Sequence, residues 1–205
     1  MFITLEGIDR AGKTTQTARL AEGLGPGTLV LREPGGTPAG ERIRELVKDP
    51  ELDLAPGAEL LLFNAARAQL VNQVIRPALE AGRDVVCDRF IDSTVAYQGV
   101  ARELGIERVE DLNALVVGSC IPDLTVLLRI DPARAFYRQT ELDDRFEAAG
   151  VEFQRRVAEA YDDLAARHRE RIAVVEAEGD PGEVHARIMQ LVRERRERGA
   201  RPRES

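Results

Sequence analysis

The most constraining feature of the chain is an eight-residue pattern near its start. Residues 7–14 read G-I-D-R-A-G-K-T, which matches the phosphate-binding pattern G-x-x-x-x-G-K-[ST]. Residues 1–5 before it are mostly apolar, and residues 14–20 after it suit a helix. Gly7 and Gly12 let the loop turn its N–H groups inward, and the positive end of the helix dipole faces the same anion. The pattern therefore predicts a strand, a loop and a helix that bind a nucleoside triphosphate.

Two side chains of this loop and two at a later strand end suit a nucleotide with a bound metal ion. Lys13 is placed to reach the β- and γ-phosphates, and the Thr14 hydroxyl is placed to bind Mg²⁺. Asp88 and Arg89 follow the apolar run 85–87, so both are expected beside the loop. Asp88 can hold Mg²⁺ directly or through water, and Arg89 offers a planar pair of donors to phosphate. The alternative is a surface Asp-Arg pair.

The pattern of apolar segments predicts an α/β fold in three layers. Strand-like runs alternate with helical periodicity, which is typical of a mostly parallel sheet covered by helices on both faces. With the phosphate loop, this is a P-loop NTPase fold with five strands, expected to form a single domain over residues 1–205 with a frayed tail at about 197–205. The strand-like runs lie at residues 2–5, 28–31, 84–87, 124–130 and 172–175.

Composition limits the class of partner. The net charge of −7 argues against a nucleic-acid partner, because nucleic-acid binding depends on broad basic surfaces. No apolar stretch approaches the length that crosses a bilayer, so we expect no membrane contact. The apolar start runs directly into the first strand, and two cysteines do not suggest a disulfide framework. We therefore expect a cytoplasmic protein whose positive charge is local to an anion site.

Three segments are candidates for a second, acceptor site. The turn at residues 32–37 can present backbone N–H groups and flanking side chains to a ligand. Phe63 and Arg67 share one face of a helix predicted for residues 56–81, where they could stack on a base and bond its edge. A core phenylalanine beside a solvated arginine is the alternative. Residues 93–99 supply hydroxyls, a phenol and an amide that could read a base or sugar.

Taken together, these segments resemble the thymidylate kinases, a family of P-loop nucleoside monophosphate kinases that act on dTMP. The matching pieces occur in the family's order, cover nearly the whole chain and form a highly specific combination. They are residues 2–7, the phosphate loop and residues 32–37, 87–90, 96–99, 122–124 and 144–147. The resemblance implies phosphorylation of dTMP to dTDP by ATP and Mg²⁺, in dTTP biosynthesis. It also implies a homodimer with a mobile lid at about residues 139–149.

For the nucleotide donor, the resemblance implies a site around the phosphate loop, with an arginine packed on the adenine. The ATP-binding residues it implies are Gly7, Ile8, Asp9, Arg10, Ala11, Gly12, Lys13, Thr14, Thr15 and Arg138. The residue patterns and the resemblance together predict as catalytic residues Arg10, Lys13, Asp88, Arg89 and Arg145.

For the acceptor, the resemblance implies that Asp9 accepts from the dTMP 3′-hydroxyl, that Phe63 stacks on thymine and that Arg67 bonds its carbonyl edge. Arg89 and Arg44 are implied to grip the dTMP phosphate. The helices around Phe63 and Asn113 are the candidate dimer elements. The dTMP-binding residues it implies are Asp9, Glu33, Arg44, Phe63, Arg67, Arg89, Ser93, Thr94, Tyr97 and Gln98.

One departure from the family pattern has mechanistic content. Many bacterial members have Gly or Ala at position 10 and several arginines in the lid. This chain has Arg10, as in eukaryotic members, and acids through residues 139–145 with Arg145 as the basic residue. A cation at the transferring group is worth about 10³ to 10⁵ in rate. We hypothesise that Arg10 supplies that cation.

Two other classes of function stay open at this point. One is another small-molecule kinase, such as a deoxynucleoside kinase or a different monophosphate kinase, since the residues do not separate thymine from uracil. The other is a nucleotide-bound switch or partition protein, which would need switch segments and a partner surface. A binding module without chemistry does not explain why Lys13, Thr14 and Asp88 occur together.

Overall fold

The structure is a computed structural model that describes residues 1–137 and 150–200. Five strands form one sheet in the order β2-β3-β1-β4-β5, and every neighbouring pair is parallel. Each predicted strand is present, with both ends within one residue of the predicted ends, so the fold-class prediction is confirmed. The strands are β1 Phe2–Glu6, β2 Leu29–Arg32, β3 Val85–Asp88, β4 Leu124–Arg129 and β5 Ile172–Glu176.

Helices join the strands and cover both faces of the sheet. The helix predicted for residues 56–81 is two α-helical segments joined by a wider π-helical turn. Pro77 follows that turn, and the wider turn accommodates a proline that lacks an N–H and crowds the preceding turn. The α-helices are α1 Lys13–Leu24, α2 Pro38–Lys48, α3 Pro56–Leu70, α4 Arg76–Glu80, α5 Ile91–Thr94, α6 Ile106–Val117, α7 Pro132–Tyr137, α8 Gly150–Arg167 and α9 Pro181–Ala200, with π-helical turns at Val71–Ile75 and Val95–Ala101.

The central strand β1 is buried on both sides, which explains its continuous apolar character. Ile3 and Leu5 join one core cluster, whereas Phe2 joins a second cluster on the other face of the sheet. In the register of the sheet, Leu5 lies beside Asp88 and Arg32 also lies beside Asp88. The carboxyl ends of three adjacent strands therefore meet at one edge, where ligands bind in open parallel sheets.

Two expectations from composition can be compared with the described residues. Within residues 1–137 and 150–200, no helix is long and apolar enough to cross a membrane. Cys87 and Cys120 are both buried and both free, as expected for small core residues. Cys87 lies in β3 directly before Asp88.

Candidate active site

The phosphate loop has the backbone shape that its sequence predicts. Gly7 has φ 139°, and a Cβ there would lie 2.6 Å from the carbonyl oxygen of Leu128. Gly12 has φ 93° and caps α1, which has no side-chain cap. The first N–H groups of α1 are therefore available to an anion. Arg10 also lies in the left-handed region, at φ 63°, a conformation that costs a non-glycine residue energy and clusters at functional sites.

Lys13 lies across the mouth of this loop. Its Nζ donates to the carbonyl oxygens of Gly7 at 3.1 Å and Ile8 at 2.7 Å. Burial, together with the positive charge of Arg89, lowers the pKa of Lys13 to about 8. A phosphate group at the loop would favour the charged ammonium, because an opposite charge at close range raises the pKa of a lysine. The loop and its lysine are thus arranged for an anion.

Thr14 and Asp88 meet where a magnesium ion would be held. The Thr14 hydroxyl donates to Asp88 Oδ2 at 3.0 Å. Mg²⁺ prefers oxygen ligands and usually keeps several waters and substrate phosphates, so one or two protein oxygens are sufficient. Among the described residues there is no cluster of three or more metal-binding side chains. The Thr14–Asp88 pair fits Mg²⁺ bound with a nucleotide and does not fit a closed all-protein metal site.

A cleft of about 640 Å³ extends from the phosphate loop across the ends of β2 and β3 to α2, α3 and the turn Val95–Ala101. This volume lies within the roughly 300–1,000 Å³ typical of small-molecule sites. Both the donor end and the acceptor end of the predicted site face this one cleft. The predicted site residues that line it are Asp9, Arg10, Lys13, Thr14, Glu33, Arg44, Phe63, Arg67, Asp88, Arg89, Ser93, Thr94, Tyr97 and Gln98.

Other predicted site residues lie elsewhere. Ile8 and Ala11 are buried in the core, where they support the loop. Thr15 is exposed on α1 and is not among the described residues that line the cleft. The prediction that Arg138 packs on adenine and Arg145 is catalytic falls on residues 138–149, which lie outside the described residues, as does the lid. The tail prediction overlaps α9, which continues to Ala200.

Asp9 is held by three partners at the centre of the cleft. Arg89 Nη2 donates to its Oδ1 at 2.5 Å, and Tyr97 donates to its Oδ2 at 3.2 Å. Gln154 on α8 donates from Nε2 to Asp9 Oδ2 at 2.7 Å and accepts from the Asp9 backbone N–H at 3.3 Å. Burial opposes the charged form, but Arg89 and Lys13 outweigh it, and the pKa of Asp9 is lowered. Asp9 is thus an oriented carboxylate.

Arg89 lies directly after Asp88, and its backbone has φ 71°. Besides Asp9, its guanidinium donates to the Gly7 carbonyl at 3.1 Å, the Ser93 hydroxyl at 3.1 Å and the Tyr97 hydroxyl at 3.2 Å. The predicted phosphate-binding arginine is therefore fixed between the loop and the acceptor end of the cleft. The Ser93 hydroxyl, predicted to contact dTMP, is already engaged with this arginine.

Arg67 is almost fully buried, at 1% exposure, so it is not the solvated neighbour that the sequence left open. Its Nε and Nη2 donate to Glu33 Oε2 at 2.9 and 2.6 Å. Nη1 donates to Asn113 at 2.9 Å, and Nη2 also donates to the Phe90 carbonyl at 3.0 Å. A guanidinium has five N–H groups, so one on Nη1 remains for a ligand. Burial raises the pKa of Glu33, although Arg67 opposes the shift.

Unpartnered polar atoms in the lining of the cleft point to a ligand. Three buried side-chain oxygens that line the cleft make no hydrogen bond with the described residues: Thr17 Oγ1, Glu33 Oε1 and Thr94 Oγ1. Buried polar groups are almost always hydrogen-bonded in native proteins. Half-buried Phe63 supplies an aromatic surface in the same wall, and the Gln98 amide donates to Glu59 at 2.8 Å. The wall therefore combines an apolar plate with polar atoms that can accept or donate.

Arg44 reaches the cleft because α2 starts where it does. The Thr37 hydroxyl accepts from the Gly40 N–H at 3.0 Å, and Pro38 occupies the first helical position. Two turns later, Arg44 Nη1 donates to the Pro34 carbonyl at 3.0 Å. The predicted turn at residues 32–37 is thus the support for this arginine as well as part of the wall.

Several residues that build the site were not predicted from the sequence. Gln154, Asn113 and Tyr161 lie on helices that begin far along the chain, and Thr17 is one turn beyond the loop motif. Each looks like an ordinary helix residue in the sequence. Glu6 carried one signal, because it is an acid at the end of a strand that is otherwise apolar except for Thr4. Burial and the nearby charge of Asp92 raise the pKa of Glu6 to about 7.

A parallel sheet with a triphosphate loop that opens onto a cleft for a second ligand defines the class of P-loop kinases. The comparisons with known proteins identify the family within that class. The sequence model of the family described as "Thymidylate kinase" matches residues 5–188 of this chain. The chain belongs to the thymidylate kinase family.

Individual relatives agree along nearly the whole chain. The thymidylate kinase of Deinococcus radiodurans is 47% identical over 200 residues, which is 95% of this chain and 97% of that protein. The thymidylate kinase of a Synechococcus strain (JA-3-3Ab) is 48% identical over 200 residues, with 95% and 96% covered. The crystal structure of thymidylate kinase from Ehrlichia chaffeensis has a TM-score of 0.79 at 34% identity and covers 94% of this chain and 98% of its own. The fold and the family are therefore supported independently.

Proposed function

We propose that this protein transfers the γ-phosphoryl group of ATP to dTMP, giving ADP and dTDP for dTTP synthesis. One observation carries the proposal beyond family membership. A single cleft joins the phosphate loop to a pocket whose far wall holds Phe63 and the buried guanidinium of Arg67. The two ends of the cleft therefore suit a triphosphate and a nucleoside monophosphate that meet between them.

The transfer needs no protein nucleophile. A phosphate oxygen of dTMP attacks the γ-phosphorus in line, a new P–O bond forms, and the bond to the β-phosphate oxygen breaks with ADP leaving. The protein contributes position and charge: Lys13 and the α1 N–H groups hold the donor phosphates, and Arg89 and Arg44 hold the acceptor phosphate. Mg²⁺, when bound by Thr14 and Asp88, neutralises charge on the donor phosphates.

The acceptor base and sugar are read at the other end. Phe63 offers a stacking surface, and the remaining Nη1 hydrogen of Arg67 can donate to a thymine carbonyl oxygen. The unpartnered Thr94 hydroxyl and the Gln98 amide lie in the same wall. The oriented carboxylate of Asp9 is suited to accept a hydrogen bond from the 3′-hydroxyl of the sugar. Tyr97 keeps its proton, because burial raises its pKa, and it can therefore support Asp9 as a donor.

We further propose a cytoplasmic homodimer formed through α3 and α6. Each helix carries a strongly exposed leucine, Leu61 at 60% and Leu115 at 81%. Exposed apolar side chains on adjoining helices are typical of a subunit interface. Sedimentation velocity is expected to give the mass of a dimer, and Leu61→Lys with Leu115→Lys is expected to give a monomer. A monomeric wild-type protein at micromolar concentration would exclude this interface.

The test of the reaction is ADP formation from ATP and Mg²⁺ with a panel of acceptors. The panel contains dTMP, dUMP, UMP, AMP, GMP, thymidine and a blank without acceptor. We expect a strong signal with dTMP, a weaker one with dUMP and nearly none elsewhere. A response to thymidine instead of dTMP would indicate a nucleoside kinase. An equal response in every well would leave a nucleotide site without a kinase and would favour a switch protein.

A further inference from the structure

A fully buried carboxyl group lies directly beneath the phosphate loop. Glu6 ends β1, immediately before Gly7, and has no exposed surface. Its carboxyl oxygens accept four hydrogen bonds. Oε1 accepts from the backbone N–H groups of Phe90 at 2.7 Å and Ser93 at 3.3 Å. Oε2 accepts from the Ser93 hydroxyl at 2.5 Å and the Tyr161 hydroxyl at 2.8 Å.

These contacts lead to Arg89 by two routes. The backbone route is the turn after β3. Phe90 and Ser93 follow Arg89 in the chain, and their N–H groups donate to Glu6. The side-chain route is the Ser93 hydroxyl, which donates to Glu6 and accepts from Arg89 Nη1 at 3.1 Å. Tyr161 closes the set, since its hydroxyl lies 2.8 Å from Ser93 Oγ and 3.5 Å from Arg89 Nη1. Neither Glu6 nor Tyr161 is among the residues predicted to bind a nucleotide or to be catalytic.

The turn needs such an anchor. Arg89 has φ 71°, a left-handed conformation that persists only where surrounding contacts enforce it. Its own N–H donates to the Leu5 carbonyl at 3.0 Å. The N–H groups of Phe90 and Ser93, later in the same turn, donate to Glu6. A buried acceptor with four donors is costly to disturb, because any donor left without a partner in the interior loses its full hydrogen bond. The carboxyl of Glu6 thus fixes both the backbone and the side-chain direction of Arg89.

We propose that Glu6 is a positioning residue for the acceptor-phosphate arginine Arg89, acting through the turn backbone and through the hydroxyls of Ser93 and Tyr161. This inference rests on the proposed function, in which Arg89 binds the dTMP phosphate. Glu6 touches neither nucleotide in this role. Its effect is expected on dTMP and not on ATP, because Lys13, which is proposed to hold the donor phosphates, is itself held by the carbonyl oxygens of Gly7 and Ile8.

The test compares Glu6→Gln and Tyr161→Phe with the wild type in steady-state kinetics. Glu6→Gln keeps the shape but replaces one acceptor oxygen by a donor, and Tyr161→Phe removes one hydroxyl. We expect KM for dTMP to rise about tenfold in Glu6→Gln and less in Tyr161→Phe, with KM for ATP unchanged. Tyr161→Phe carries the same test where Glu6→Gln gives too little folded protein.

A matched control separates positioning from general loss of stability. Thr4 lies on β1, as Glu6 does, and its hydroxyl forms a buried hydrogen bond of 2.8 Å with Thr125 on β4. Thr4→Val removes this hydrogen bond. We expect Thr4→Val to lower the melting temperature with KM for dTMP unchanged. If Thr4→Val raises KM for dTMP as much as Glu6→Gln does, Glu6 acts only through stability and the inference is overturned.

Arg89→Lys distinguishes failure of the inference from failure of the proposed function. We expect Arg89→Lys to raise KM for dTMP strongly, and Glu6→Gln to add little in that background, because the two act as one unit. Full additivity would overturn the role of Glu6. An unchanged KM for dTMP in Arg89→Lys would instead overturn the phosphate role of Arg89, and with it the premise on which the inference rests.

Discussion

The two ends of the cleft are assembled in different ways. At the phosphate end, Lys13 contacts carbonyl groups only six and five residues earlier in the chain. At the base end, the partners of Arg67 lie 34, 46 and 23 residues away, on a turn, on α6 and at the residue before α5. The phosphate end is therefore a local structure that a short motif can specify. The base end exists only when four separate elements are packed together.

The largest expected effect tests the phosphate end. If Arg10 supplies the cation at the transferring phosphoryl group, Arg10→Gly should lower kcat by about 10³ to 10⁵ while ATP binding stays nearly intact. The measurement is single-turnover phosphoryl transfer together with ATP affinity by equilibrium titration. Arg145→Ala is the comparison, and we expect its effect to be much smaller.

The backbone conformation at position 10 suits glycine. Arg10 has φ 63°, where glycine is unstrained, so Arg10→Gly should leave the melting temperature unchanged or raise it. Loss of activity then reports the missing guanidinium and not unfolding. A large loss from Arg145→Ala combined with a mild one from Arg10→Gly would transfer the role to Arg145.

The next effect tests the base end through the buried pair of Glu33 and Arg67. Arg67→Met should destabilise the protein by about 3–5 kcal/mol, because the buried carboxyl of Glu33 loses its partner. Replacing both residues, by Glu33→Leu with Arg67→Met, should recover most of that stability, since apolar side chains can fill a buried ion-pair site. Urea denaturation measures both values.

Catalysis should respond differently from stability in the same two variants. Both lack the N–H that faces the cleft, so both should show a rise in KM for dTMP of about 10- to 100-fold and a weaker choice between bases. If the double variant regains the wild-type KM for dTMP along with its stability, Arg67 supports the fold and does not bind the base.

The difference between the two ends also explains how far the sequence alone could lead. The motif at residues 7–14 predicted the loop, and apolar runs predicted five strands with ends within one residue, because both depend on local pattern. The spacing from Phe63 made Arg67 a candidate site residue. Its burial was not predicted, since that depends on Glu33 and Asn113. Contacts such as Gln154 with Asp9, which are 145 residues apart, leave no local pattern.

A smaller effect separates two buried carboxyl groups by the sign of their pH dependence. Burial and the charge of Asp92 raise the pKa of Glu6 from 4.5 to about 7, so the native state binds this proton more tightly than the unfolded state does. The stability from Glu6 is present below pH 4.5 and is lost as pH rises toward 7. The pKa of Asp9 is lowered from 3.8, so its contribution is present above that pH and is lost as pH falls.

The measurement is the unfolding free energy of wild type and Glu6→Gln by urea at several pH values from 5 to 8. We expect the wild type to lose stability relative to Glu6→Gln as pH rises. The difference in stability between the wild type and Asp9→Asn should stay constant from pH 5 to 8, because Asp9 titrates below this range. A difference that stays constant from pH 5 to 8 would exclude a raised pKa at Glu6. The charged or titratable groups whose fields reach Glu6 belong to Lys13, Cys87, Arg89, Asp92, Tyr161 and Arg171.

The smallest expected effect concerns Gln154, which joins α8 to the boundary between the two ends. Its amide holds both the backbone and the carboxylate of Asp9, so Gln154→Ala should lower kcat/KM for dTMP by about tenfold. The acceptor 3′-deoxy-dTMP lacks the hydroxyl that is proposed to donate a hydrogen bond to Asp9. With this acceptor, the kcat/KM of Gln154→Ala should equal that of the wild type. Arg155→Ala is the control, because Arg155 pairs with Glu152 and Glu159 on the exposed side of the same helix. Equal losses with both acceptors would show that Gln154 supports the loop as a whole and does not act through the sugar contact of Asp9.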